Sequence, residues 1–201
     1  MTAQHEKSPS FILASSSPRR AQLLKDAGYA FRVVAPTIKE PAGQFDRLVP
    51  SQQAEALAYF KARSVFEAVS PNIPVLGADT LVSLGNKVFG KPRDAEHARE
   101  ILLALTGGKH QVISGVALLD PGGARLIASD VTHVRMRRLK RAEMDAYIAG
   151  GQWEGKAGAY GIQDRDDPLV ENIEGSFSNV VGLPMELLSG LFAQLVLRHC
   201  T

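Results

Sequence analysis

Apolar and polar positions alternate along this chain in two rhythms. Short runs of mostly apolar residues at Phe11 to Ser15 and Phe31 to Ala35 read as strands, and Arg19 to Ala27 between them reads as a helix ended by Gly28. Pro36 to Pro50 shows no period. From about Ser51 to Val69 the residues Ala54, Leu57, Ala58, Ala62, Val65 and Val69 form one stripe of a long helix. Val75 to Leu84 reads as a strand, with Gly85-Asn86 turning into a short return around Val88. Asp94 opens another helix that runs to Leu105, before Thr106-Gly107-Gly108. Two long strands follow, His110 to Leu119 and Arg125 to Met136, joined as a hairpin through Asp120-Pro121-Gly122-Gly123. A short helix near Ala142 to Ala149, a glycine-rich stretch from Gly150 to Gly161 and a last helix from Pro184 to about Leu197 complete the pattern. Because strands and helices alternate without a regular βαβ period, the expected class is α/β with a mixed sheet and flanking helices. Residues 1–10 form a polar tail, and 11–201 read as one domain.

Composition narrows the classes. With 201 residues, 45% hydrophobic and 22% charged, the chain can bury a core and is neither disordered nor collagen-like. No apolar run reaches the roughly 18 residues of a membrane span, and the polar start MTAQHEKSPS lacks a signal core, so a cytoplasmic protein without membrane association is expected. A single cysteine, Cys200, offers no disulfide framework, and the five histidines show no HExxH pair, which argues against zinc. The 23 basic and 21 acidic residues nearly cancel, so charge gives no reason to expect nucleic acid as a partner. One local exception, Arg135-Met136-Arg137-Arg138-Leu139-Lys140-Arg141, reads as a solvated strand end without interleaved aromatic residues to stack bases.

Four places break the local rules, and functional groups tend to be found where that happens. In SSSPRR, Ser17 and Pro18 suit the N-cap and first position of a helix, yet Arg19 and Arg20 oppose the helix dipole unless an anion such as phosphate joins them. The alternative places both in water. Lys61 interrupts the apolar stripe of the long helix, so it must snorkel, pair with a carboxylate or face a cleft. Asp79 sits inside VLGADTLVSL, where an ionised carboxylate needs a cationic partner; it reads as a metal ligand, a general base or a structural ion pair. Gly77, on the same side of that strand, leaves room for close approach. The fourth is GNKVFGKP at 85–92, which matches GxxxxGK but ends in Pro92, lacking both the hydroxyl and the amide hydrogen that a phosphate-binding P-loop uses. Lys91 then stands ahead of a helix, either solvated or holding an anion. A polyphosphate with a divalent metal, Mg2+ or Mn2+, held by Asp79 and Glu40, satisfies all of these together.

ILASSSPRRAQLL, VLGADTLVSL, FGKPRDAEHAREILLALTGGKHQVISGVAL, GKAGAYGIQ and GSFSNVVGLP occur in this order across residues 12–184, and on them the chain resembles the Maf family. The resemblance implies an inosine-triphosphatase-like fold with two lobes around a cleft, and a nucleoside triphosphate pyrophosphatase that releases a monophosphate and pyrophosphate. GKAGAYGIQ looks like the subgroup acting on dTTP, UTP and related modified pyrimidines rather than the one acting on 7-methyl-GTP. By the same resemblance Asp79 matches the proton acceptor, and Lys61 and Lys91 the catalytic lysines. Ser15, Arg19 and Arg20 match groups that contact the substrate phosphates, Glu40 and Asp79 the metal site, and Arg19, Thr80 and Gln163 the positions that govern the choice of base. A carboxamide at Gln163 offers both a donor and an acceptor to a pyrimidine edge, although Asp164-Arg165-Asp166-Asp167 makes the following loop more charged than the family pattern. A homodimer is implied as well. The family's association with septum formation implies a different alternative, a non-catalytic nucleotide sensor.

Overall fold

The computed structural model describes residues 10–37, 45, 47–162 and 169–199. Its centre is a seven-stranded mixed sheet in the order β2-β1-β3-β5-β6-β7, with β4 added to β3. The strands are β1 (Phe11–Ala14), β2 (Phe31–Val34), β3 (Val75–Leu84), β4 (Lys87–Phe89), β5 (Lys109–Leu119), β6 (Arg125–Met136) and β7 (Val170–Glu174). Helices α1 (Pro18–Asp26), α2 (Pro50–Val69), α3 (Ala95–Leu105), α4 (Arg141–Ala149), α5 (Phe177–Val181) and α6 (Met185–His199) flank it. β1 runs parallel to β2 and β3, and the other pairings are antiparallel, so the expected α/β class with a mixed sheet holds.

Two glycines let α2 lie directly on the sheet. Asp79 pairs with Gly115 and Gly77 with Ala117 in the β3–β5 register, so Gly77, Asp79 and Gly115 share one face. A Cβ on Gly77 would stand 2.2 Å from the Ala58 carbonyl oxygen, and one on Gly115 2.2 Å from the Ala54 carbonyl. Larger residues at either position would lift the helix, whose alanines 54, 58 and 62 are fully buried against the strands. On the opposite face the core divides. Leu76, Ala78, Val116 and Leu118 pack with Leu24 of α1 and with Leu188, Leu191 and Leu195 of α6. Val82, Val112, Val134 and Met136 pack with α3 and with Met144, Tyr160 and Ile162. Between the two apolar groups, the strands carry Thr80, Ser114 and Thr132.

The sheet also leaves a gap at its centre. β5 takes one edge of β3 from Val75 to Ser83. On the other edge β1 covers Val75 to Gly77 and β4 covers Val82 to Leu84, so Ala78 to Leu81 have no ladder partner there. This gap is where the site forms.

The element boundaries read from sequence hold to within one or two residues for β1, β2, β3, β5, β6 and the five longer helices. Two elements were not anticipated. β7, VENIE, is a polar edge strand whose side chains are exposed or half-buried, so it has no apolar alternation. α5 spans five residues, too few to display a period. The glycine-rich stretch also contains a 3-10 turn, Ala157–Ala159, in which Gly158 and Ala159 have φ of 72° and 61°. Left-handed backbone at a non-glycine residue is uncommon and is concentrated at functional walls.

Candidate active site

The close seating of α2 brings Lys61 onto Asp79. Lys61 Nζ donates to Asp79 Oδ1 across the α2–β3 interface, and Asp79 is only 7% exposed. Among the described residues Asp79 Oδ2 has no hydrogen-bond partner. Of the readings open for Lys61, pairing and facing a cleft both apply, because Lys61 and Asp79 together line a cavity of about 700 Å3 over the gap in β3. The buried carboxylate is thus neutralised at its back and open in front.

Arg19 and Arg20 separate sharply. Arg20 turns inward, 9% exposed, and donates from Nε to the Gly182 carbonyl (2.8 Å), from Nη1 to the Ala78 carbonyl (2.8 Å) and Ser15 Oγ (3.2 Å), and from Nη2 to Thr80 Oγ1 (3.1 Å). It fills the unpaired edge of β3 and ties β1, β3 and the end of α5 together. Burial lowers the Arg20 guanidinium below its ordinary pKa, with Asp79 opposing that shift and Arg19 adding to it. Arg19 is exposed at the cavity rim. The alternative that put both arginines in water therefore fails for Arg20. Ser17 is the N-cap of α1 with Pro18 next, as expected, but its side chain makes no capping bond; its N–H instead donates to Ser15 Oγ at 3.2 Å. Ser15, Ser16 and Ser17 all line the cavity.

Lys91 is exposed and lines the opposite wall, in the loop between β4 and α3, and has no ion-pair partner among the described residues. It lies ahead of the helix that Asp94 caps, where Asp94 Oδ1 accepts from His97 N at 2.8 Å. The glycine-rich segment closes this wall: Gly158 N donates to the Gly90 carbonyl at 3.1 Å, so the backbone of 157–161 is tied to the loop that carries Lys91. Glu154, Tyr160 and Gly182 line the cavity too, and sequence reasoning had not singled them out. Tyr160 is held by a buried partner, His110 Nε2, at 2.7 Å. Burial pushes the His110 imidazole down to about 4.

Ser15, Arg19, Arg20, Lys61, Asp79, Thr80 and Lys91 thus converge on one cavity from the β1–α1 loop, α1, α2, β3 and the β4–α3 loop. Glu40 and Gln163 lie outside the described residues. Thr80 is half-buried, and its hydroxyl contacts Arg20, Ser114 Oγ (2.8 Å) and the Gly182 carbonyl (3.2 Å). Among the described residues no group of three His, Cys, Asp or Glu side chains could hold a metal by itself. Nor is any described helix long and apolar enough to cross a membrane. The basic run at 135–141 spans the end of β6 and the start of α4, where Arg137 pairs with Glu143 at 3.0 Å on the surface.

Residues 10–195 match the family described as Maf-like protein. The chain belongs to the Maf family. Among its curated Maf relatives, a dTTP/UTP pyrophosphatase of Symbiobacterium thermophilum is 45% identical over 87% of this chain and 88% of that protein. Proteins of the same description from Alkalilimnicola ehrlichii and Dictyoglomus thermophilum are each 41% identical, over 90% and 92% of this chain and 91% and 95% of theirs. Among solved structures, a nucleoside-triphosphatase/dITP/XTP pyrophosphatase from Mycobacterium abscessus aligns with 94% of this Maf chain and 95% of that one at a TM-score of 0.45 and 15% identity, too distant to add to the assignment.

Proposed function

We propose that this Maf protein is a nucleoside triphosphate pyrophosphatase that hydrolyses dTTP, UTP and related modified pyrimidine nucleotides to the monophosphate and pyrophosphate. The observation that carries the reading is the Lys61–Asp79 pair on the floor of a cavity ringed by cations, in a chain about 40% identical to relatives bearing that activity in their names. A triphosphate is the ligand whose charge distribution suits Arg19 and Lys91 at the rim with Lys61 below.

In the proposed reaction Asp79 accepts a proton from the attacking water through Oδ2. Lys61 keeps Asp79 ionised and oriented, and its charge faces the phosphates. Lys91 and Arg19 neutralise the charge that develops on the leaving pyrophosphate. Ser15 and Arg20 shape the phosphate-facing backbone, Arg20 chiefly by holding β3 and the Gly182 turn in place. Arg19, Thr80 and Gln163 select the base. The donor chemistry fits Mg2+ or Mn2+, hard cations that bind through one or two carboxylates with phosphate oxygens completing the shell, and Asp79 and Glu40 are the carboxylates that would hold the ion. When bound, such an ion supplies charge neutralisation and a more acidic water. The chain acts as one unit over 11–201, its two apolar cores standing either side of the cleft, and as a homodimer in the cytoplasm.

Incubation with dTTP, UTP, CTP, 5-methyl-UTP, 7-methyl-GTP and ITP, with products separated, tests the assignment. Monophosphate and pyrophosphate from dTTP and UTP support it. A preference for 7-methyl-GTP overturns the pocket reading, and nucleotide binding without turnover favours a sensor instead.

A further inference from the structure

A buried histidine stands behind an apolar part of the cavity wall. Gly115 of β5 faces α2, so by the alternation of the strand His110 and Val112 share the other face. Val112 lines the cavity. His110, two residues before it, is buried and hydrogen-bonded through Nε2 to the buried Tyr160 hydroxyl at 2.7 Å, the two rings meeting edge to face at 5.4 Å between centroids. His110 Nδ1 has no hydrogen-bond partner among the described residues. Two polar groups inside an apolar core, one of them short of a partner, cost stability that a leucine and a phenylalanine in their places would not. What they provide instead is a fixed position.

The position they fix is that of residues 157–162. Gly158 and Ala159 are left-handed there, and Ala159 is fully buried. A non-glycine residue keeps such a conformation where its surroundings over-determine it. Gly158 N donates to the Gly90 carbonyl (3.1 Å), Tyr147 Oη donates to the Ala159 carbonyl (3.3 Å), and Tyr160 meets His110. The last contact is the shortest, and alone of the three it ties the segment to a strand. Tyr160 and Ile162 line the cavity together with Val82 and Val112, and all four belong to one apolar core. The cations come from other elements: Arg19 from α1, Lys61 from α2 and Lys91 from the β4–α3 loop. A nucleoside triphosphate carries its charge at one end and a flat, largely apolar face at the other, so the base is the part that suits this wall.

We propose that His110 is a positioning residue for the nucleobase: by holding Tyr160 it fixes the wall of Val82, Val112, Tyr160 and Ile162 against which the base lies, while the phosphates bind independently of it. This deepens the reading of the cavity as a nucleoside triphosphate site and rests on that reading.

Two variants break the contact in different ways. His110→Leu fills the space without a polar atom, and Tyr160→Phe keeps the ring and removes only the hydroxyl. Each is compared with the unmodified protein for kcat and KM on dTTP, for inhibition by inorganic tripolyphosphate, which has no base, and for calorimetric binding of thymidine monophosphate. The expected result is a rise of about tenfold in KM and in the dissociation constant of thymidine monophosphate, with kcat and the tripolyphosphate inhibition constant within about twofold of the unmodified protein. His110→Gln, which keeps a partner for the hydroxyl, recovers most of the loss. An unchanged KM in both variants overturns the proposal, as does tripolyphosphate inhibition that weakens in step with KM, the mark of a general loosening of the fold. Should the unmodified protein bind thymidine monophosphate and turn over no triphosphate, the pyrophosphatase reading fails and the calorimetric comparison decides this inference by itself; a protein that does not bind thymidine monophosphate overturns it.

Discussion

Lys61 and Asp79 meet across the α2–β3 interface with side chains only 15% and 9% exposed. A carboxylate this secluded depends on its cation, so Lys61→Met leaves a buried charge without its main compensation. The variant is expected to lose about 1 to 3 kcal/mol of stability in urea titration and most of its turnover. Unchanged stability would show that Asp79 is compensated from elsewhere.

Gly77 and Gly115 make that meeting possible. Gly77→Ala and Gly115→Ala each place a methyl group 2.2 Å from a backbone carbonyl of α2. Overpacking of this kind costs about 1 to 3 kcal/mol, and shifting α2 carries Lys61 away from Asp79. Turnover measured at a temperature where each variant is fully folded is therefore expected to fall further than stability alone accounts for.

Adjacent arginines predict opposite phenotypes. Arg20 donates to four protein acceptors that a lysine cannot reach together, so Arg20→Lys is expected to cost about 2 kcal/mol or more in denaturation. Arg19→Lys, at an exposed rim position, is expected to leave stability within about 0.5 kcal/mol and to raise KM for the triphosphate.

His110 predicts a pH dependence of stability. Its folded value of about 4 lies below the ordinary 6.5, so the unfolded chain binds the extra proton between those limits. The stability is complete above pH 6.5 and declines as pH falls toward 4, by up to roughly 3 kcal/mol from this group. His110→Gln keeps a partner for the Tyr160 hydroxyl and cannot titrate. Urea titrations across this range are expected to show a shallower acid slope in that variant; equal slopes would remove His110 as the cause.

Much of the site was legible in the sequence because two of its charges contradict their own elements. Asp79 stands in an apolar strand and Lys61 in an apolar helix stripe, and each conflict is visible without a structure. That they resolve each other depends on Gly77 and Gly115 bringing two distant segments together, which no local pattern contains. The fates of Arg19 and Arg20 could not be separated beforehand, since neighbours point about 100° apart on a helix and only the fold decides which direction is inward. Ser114, whose hydroxyl contacts Thr80, was invisible for the opposite reason: a serine in a strand violates nothing locally. β7 escaped because its two apolar residues that pack on the core, Val170 and Ile173, stand three apart across an irregular register, so no alternation is left to detect.

The central claim is that Asp79 drives hydrolysis between the α- and β-phosphates, and one comparison tests it most directly. Turnover of dTTP by the unmodified protein and by Asp79→Asn is measured with products resolved, alongside dTTP binding to each. The account predicts thymidine monophosphate and pyrophosphate from the unmodified protein, and a loss of about 10²-fold or more in the variant with dTTP still bound. Equal turnover by Asp79→Asn, or release of diphosphate and phosphate, would contradict it.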